Sequence, residues 1–260
     1  MPDSQLFSLV TEAVGDRRFV IAAGVAVLAG VVRGFAGFGS ALIYMPLISA
    51  VYGPKIAAPT LLLIDTIASL PFALKATPDC NWREVRLVMI TGAIGVPLGV
   101  AALVYVNVLA LRWLIAALVL VAVTSLVSGW RYHGKPTVSA SLGVGMLSGL
   151  GGGAVQIGAP PLLVYWLGGQ NSAATVRANI MVYFLMQGAL TFTLYLYGGL
   201  FTAQTLVLSL LLGLPFAMAL AFGAGWFHGT SDLLYRRLAY IIIAIAGLIS
   251  LPLFDEVALR

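Results

Sequence analysis

Two charged residues stand where a charge is costly. Arg33 closes an apolar run against the stretch Gly34-Phe35-Ala36-Gly37-Phe38-Gly39-Ser40, and Asp65 lies well inside the apolar run 57–74. A charge at the centre of a bilayer costs roughly 2.5–3.5 kcal/mol on insertion scales. Such residues either neutralise each other or have a task. For Arg33 the task is attracting an anion. For Asp65 it is carrying a proton or a cation across. Arg177, near the start of the apolar run 173–197, either reaches back to the interface or adds a second positive charge for an anion.

Uncharged polar groups extend the pattern. Asn179, Tyr183 and Gln187 recur at every fourth position and share one helix face, and Asp65 and Ser69 make a matching pair in the first half. They line a cavity or hydrogen-bond between helices. Two glycine-rich breaks complete the set: Gly37 and Gly39 before Ser40, and Gly149, Gly151, Gly152 and Gly153 before Gln156. If helices restart at Ser40 and Ala154, their first N–H groups are unpaired and carry about half a positive charge. Two such ends brought together form an anion site, with Ser40 and Gln156 adding donors from the first turns. The alternative use of these glycines is close helix packing.

These residues belong to a chain whose solvent is lipid. Of its 260 residues 61% are hydrophobic and 9% charged, against about 25% charged in a soluble domain. The net charge of +5 sits in short gaps between apolar runs, where it sets topology, and does not mark a nucleic-acid surface. One cysteine and two histidines give no disulfide or metal-ligand pattern. No hydrolase, zinc-protease or phosphate-loop motif is present, so neither an enzyme nor a cofactor is expected. The first 18 residues carry Asp3, Glu12 and Asp16 and do not read as a signal peptide.

The elements that position the site are ten apolar runs, at 19–32, 40–51, 57–74, 85–106, 109–130, 138–150, 154–167, 173–197, 202–227 and 233–253. Six are long enough to span about 30 Å of hydrocarbon. The four short ones form two glycine-interrupted pairs. A shift of 114 residues, from 37 to 151, superposes Gly37, Gly39 and Pro46 on Gly151, Gly153 and Pro160, and Asp65 on Asn179. The expected fold is an all-α integral membrane protein of two inverted repeats. Each repeat is a broken, re-entrant helix hairpin plus three transmembrane helices; if each broken pair made one kinked crossing instead, there would be eight spans and parallel halves. An N-terminal segment covers 1–18, the first repeat 19–130 and the second 138–253. Hairpins place the loops with Lys75, Arg83 and Arg86, with Arg131 and Lys135, and with Arg236 and Arg237 on one side, the cytoplasm by the positive-inside rule. No dimer face stands out in the composition, and a homodimer is compatible with it.

The two breaks, each followed by a proline at Pro46 or Pro160, together with Ala173-Ala174-Thr175 and Asn179, resemble the TauE/SafE family of sulfite and organosulfonate permeases from about Val20 to Leu253. The resemblance implies a bacterial inner-membrane protein moving sulfite, sulfoacetate or related small anions, with export coupled to an ion gradient as the expected mode. The expected binding set is Arg33, Gly37, Gly39, Ser40, Gly151, Gly152, Gly153, Gln156, Arg177, Asn179, Tyr183 and Gln187, with Asp65 for coupling. A passive anion channel and a non-transporting subunit of a larger complex stay open at this point.

Overall fold

A computed structural model describes residues 15–128, 137–168 and 171–226. Arg131, His133, Lys135, His228, Arg236, Arg237 and the apolar run 233–253 lie outside the described residues. Among the described residues every element is helical: α1 (Arg17–Ala36), α2 (Ser40–Tyr52), α3 (Pro54–Ala76), a 3-10 turn (Thr77–Asp79), α4 (Trp82–Tyr105), α5 (Val108–Val127), α6 (Val138–Val155), α7 (Ala159–Leu167), α8 (Ala173–Tyr197) and α9 (Ala203–Trp226). Side chains that accept a hydrogen bond from the first turn start many of them. Asp16 caps α1, Asn81 α4, Asn107 α5, Thr137 α6 and Ser172 α8.

Six of these helices are long and apolar enough to cross a membrane. They are α3 with its 3-10 extension, α4, α5, α6, α8 and α9. Sequence and structure differ over α6. The sequence ends its apolar run at the glycines near 150, but the helix continues through them to Val155 and reaches 18 residues. The second arms are the short ones. At about 1.5 Å per residue, the 13 residues of α2 and the 9 of α7 fall well below the bilayer thickness.

The glycine run is helical because it is a packing face. A methyl group on Gly145 would run into the Val88 carbonyl, on Gly149 into Gly92 and on Gly153 into Val96, all on α4. Gly95 and Gly99 of α4 answer from the other side, facing the backbone of α6 at Met146 and Leu150. The small residues recur at every fourth position, which lets the two backbones touch along their length. A second seam of the same kind joins α1 to α9, where Gly30 and Gly34 face the backbone at Phe216 and Leu220, and Gly223 faces Val31. These are the two most extensive helix pairings among the described residues.

The interior is aliphatic and aromatic, with Tyr44, Trp166, Tyr183, Tyr195 and Phe216 fully enclosed. The outside is apolar too. Ile90, Ile94 and Leu98 on α4, and Leu210, Leu214, Met218 and Phe222 on α9, form exposed stripes at helical spacing. In lipid such stripes carry no penalty.

Candidate functional site

Arg33 is in the last turn of α1, just before the helix ends on Gly37 in the left-handed region (φ +74°). Its Nε lies 2.9 Å from Asp65 Oδ1 on α3. The same nitrogen donates to Ser69 Oγ at 3.3 Å, and Nη1 donates to the Gly37 carbonyl. The guanidinium carbon sits 5.9 Å from the centre of the Phe184 ring on α8, within range of a cation–π contact. Asp65 Oδ1 accepts a second hydrogen bond from Ser40 Oγ, at 3.2 Å. Arg33 is 7% exposed and Asp65 21%. Removing one partner of so enclosed a pair leaves the other charge uncompensated, at a cost of about 3–5 kcal/mol.

Arg33 and Asp65 line a cavity of about 50 Å³. A water needs about 10–15 Å³ on the same measure, so the space suits a few waters or one small oxyanion. Its walls come from two helix starts. Gly39, Ser40 and Ala41 open α2, and Gln156 and Ala159 flank the start of α7. Gly39 itself has φ +98°, a conformation that suits glycine. Asp65 and Thr66 of α3 and Phe184 and Gln187 of α8 close the rest.

The two helix starts are unequal donors. In α2 the first backbone bond runs from the Leu42 N–H to the Gly39 carbonyl at 3.1 Å, leaving the N–H groups of Ser40 and Ala41 without helical partners. In α7 the first three residues are Ala159, Pro160 and Pro161. Proline fits the first turn but has no N–H, so α7 contributes its dipole and little hydrogen bonding.

Gln187 is 3% exposed, and its Oε1 has no hydrogen-bond partner among the described residues. A half-turn of the amide exchanges oxygen for the NH2 group, which would present donors to an anion in the cavity. Gln156 has the one positive φ (+59°) found on a non-glycine residue among those described. Its amide donates to the Tyr195 hydroxyl at 3.2 Å, and that hydroxyl donates to the Gly153 carbonyl at 2.8 Å. These bonds hold a conformation that costs about 1–3 kcal/mol.

The family model for the sulfite exporter TauE/SafE matches residues 22–249. The chain belongs to the TauE/SafE family. It is therefore a multi-pass transporter of small sulfur-containing anions, of the bacterial inner membrane. Searches of curated proteins and of solved structures return no match.

For a TauE/SafE protein the cavity brings together Arg33, Gly39, Ser40, Asp65, Gln156 and Gln187 from the expected set. Others lie elsewhere. The second helix start is at Ala159, not Ala154, because the glycines before it stay in α6 to pack on α4. Gly151 faces the Ile157 carbonyl and Gly153 the Val96 backbone, whereas Gly152 faces the Gln187 amide. Gln156 ends α6 and does not sit in a first turn. The breaks themselves are 119 residues apart, from 37 to 156 and from 39 to 158, so the shift of 114 is out of register by five.

The polar stripe on α8 divides. Asn179 is fully buried, accepts from the Asn81 N–H at 2.8 Å and lies 3.5 Å from Glu84 Oε2. Asn171 donates to the same Glu84 oxygen at 2.8 Å. Asn179 therefore fastens the α3–α4 turn to α8. Tyr183 packs edge-on against Trp166 and Phe184, with ring centres 6.4 and 5.6 Å away, and its hydroxyl fills the space left by Gly92. Only Gln187 reaches the cavity wall. Gly37 and Arg177 adjoin each other, the Arg177 Nε lying 3.2 Å from where a Gly37 side chain would begin. Thr66 and Phe184 also line the cavity and were not singled out from sequence. Thr66 adjoins Asp65, which was the available signal.

Proposed function

We propose that the cavity between the starts of α2 and α7 is the anion site of a proton-linked exporter of sulfite or a small organosulfonate. The supporting observation is the convergence of two helix N-termini and the Arg33 guanidinium on one small space. Oriented N–H groups and a fixed cation suit an oxyanion. In this reading the N–H groups of Ser40 and Ala41 and the Arg33 guanidinium hold the oxygens, and Gln187 supplies its amide.

Asp65 supplies the coupling. Empty, the site is neutral, with Arg33 and Asp65 paired. A bound anion adds a negative charge in a low-dielectric setting, where uncompensated charge is costly. A proton on Asp65 restores neutrality and frees the Arg33 Nε for the anion. Anion and proton binding then favour each other and travel in the same direction. An outward anion gradient carries the proton with it, and acid on the anion-loaded side speeds efflux.

The two seams support inverted repeats moving against each other. By chain order α1 matches α6 and α4 matches α9, so the pairs α1–α9 and α6–α4 exchange partners between the halves. Each repeat would then carry one broken segment to a shared site near the midplane.

Radiolabelled sulfite and sulfoacetate efflux from proteoliposomes, with and without a pH step, tests the proposal. Saturable efflux faster with acid inside is expected. Asp65→Asn should abolish the pH response while retaining saturable flux, and Arg33→Ala should raise KM at least about tenfold, the loss of roughly 1.4 kcal/mol of anion binding. Flux that tracks voltage without saturating would replace the transporter with a channel. Flux faster with alkali inside would remove the coupling role from Asp65.

A further inference from the structure

A second, wider cavity lies beyond the Arg33–Asp65 pair. It has a volume of about 420 Å³ and is lined by Lys75 at the end of α3, Asp79 of the 3-10 turn, and Arg177 and Met181 of α8. A narrow space of about 20 Å³ lies between it and the inner cavity. This middle space shares Met181 with the outer cavity, and Arg33, Asp65, Thr66 and Phe184 with the inner one. The three spaces therefore form a series of adjoining chambers. Arg177 spans the first step. It lines the outer cavity and its Nε rests against Gly37, whose carbonyl receives Arg33 Nη1. Two guanidinium groups thus flank one glycine.

We propose that Lys75 and Arg177 form an outer docking site for the transported oxyanion, and that Met181 and Phe184 form the constriction through which it passes to Arg33. The inference rests on the reading of the inner cavity as the anion site. Among the described residues that line the outer chamber, Lys75 and Arg177 are the cations and Asp79 the acid, a positive balance by residue type. A cleft with one sign of charge and low-dielectric walls concentrates the opposite ion. In the orientation expected from the basic loops, this chamber opens to the cytoplasm, the side from which an exporter collects its cargo. Lys75 is exposed and Arg177 half-buried, as a mouth and a throat should be.

Initial sulfite flux is measured in both directions in oriented proteoliposomes, over a range of ionic strength, for the parent, Lys75→Gln, Arg177→Gln, Arg177→Lys and Met181→Trp. Both charge-removing variants should raise KM about threefold or more for flux entering from the Lys75 side, keep the maximal rate, and flatten the salt dependence, as loss of electrostatic focusing requires. Arg177→Lys should keep the parent's KM. Met181→Trp should lower the maximal rate in both directions while sulfite still protects the folded protein against heat. An unchanged KM in Lys75→Gln and Arg177→Gln, or an equal rise from both faces, overturns the docking site. An unaffected rate in Met181→Trp overturns the constriction. Absence of saturable flux in the folded parent would overturn the anion-site reading itself, and the inference with it.

Discussion

Gly152 and Gln187 separate packing from function at single-residue resolution. Alanine at Gly152 would meet the Gln187 amide, the far end of a flexible side chain, and not a backbone. The amide must then turn away from the position it holds on the cavity wall. Gly152→Ala is expected to fold normally and to raise KM about fivefold, the loss of roughly 1 kcal/mol of hydrogen bonding. Flux kinetics beside a thermal melt check this, and a lowered melting point with unchanged KM would place Gly152 among the structural glycines. The Arg33–Asp65 pair was foreshadowed in the sequence, because an acid inside an apolar run has to find a cation and Arg33 was the one at a break. The division of the α8 stripe was not. Helical spacing puts Asn179, Tyr183 and Gln187 on one face, but a face over about two turns meets different neighbours along its length. Asn179 meets the α3–α4 turn, Tyr183 meets Gly92, and Gln187 alone meets the cavity.

At the level of elements, the α4–α6 seam decides where the second break falls. A helix restart at the glycine run would have placed its N–H groups toward the site. Gly145, Gly149 and Gly153 instead lie on α4, and α6 can end only after them, at Gln156. Both readings of glycine were open in the sequence, and the four-residue spacing of Gly145, Gly149 and Gly153 was the clue favouring packing. What spacing could not reveal is which helix supplies the partner glycines, since α4 and α6 are separated by α5 in the chain. The seam has a direct test. Gly145→Ala or Gly99→Ala drives a methyl group into a carbonyl of the facing backbone, whereas Gly143 has nothing within 4 Å of its added carbon. The first two should destabilise by about 1–3 kcal/mol or more, the range for overpacking, and reduce the yield of folded protein. Gly143→Ala should match the parent in a thermal melt in detergent. Equal melting points for all three would mean that the helices do not touch along this line.

At the level of the whole molecule, orientation fixes which chamber faces which compartment. The layout of long apolar helices and two interrupted segments was readable because lipid imposes length and composition on each span. The direction rests on loop charge alone, and part of that charge lies outside the described residues. The chain contains its own probe. Cys80 is its one cysteine and lies between the 3-10 turn and α4, beside the outer chamber's Asp79. It is half-buried, and burial first, then the nearby Glu84 carboxylate, raises its thiol pKa above the ordinary value. The thiolate is the reactive form, so at neutral pH labelling should be slower than for an exposed cysteine and should accelerate as pH rises. A membrane-impermeant maleimide should label Cys80 in inside-out vesicles and not in intact cells. Sulfoacetate, which does not react with maleimide, should slow that labelling when held in the outer chamber, because an anion between Lys75 and Arg177 adds negative charge near the thiol and further disfavours the thiolate. Labelling from the outside of intact cells would invert the molecule. The Lys75–Arg177 chamber would then open outward, and the same series of cavities would serve uptake.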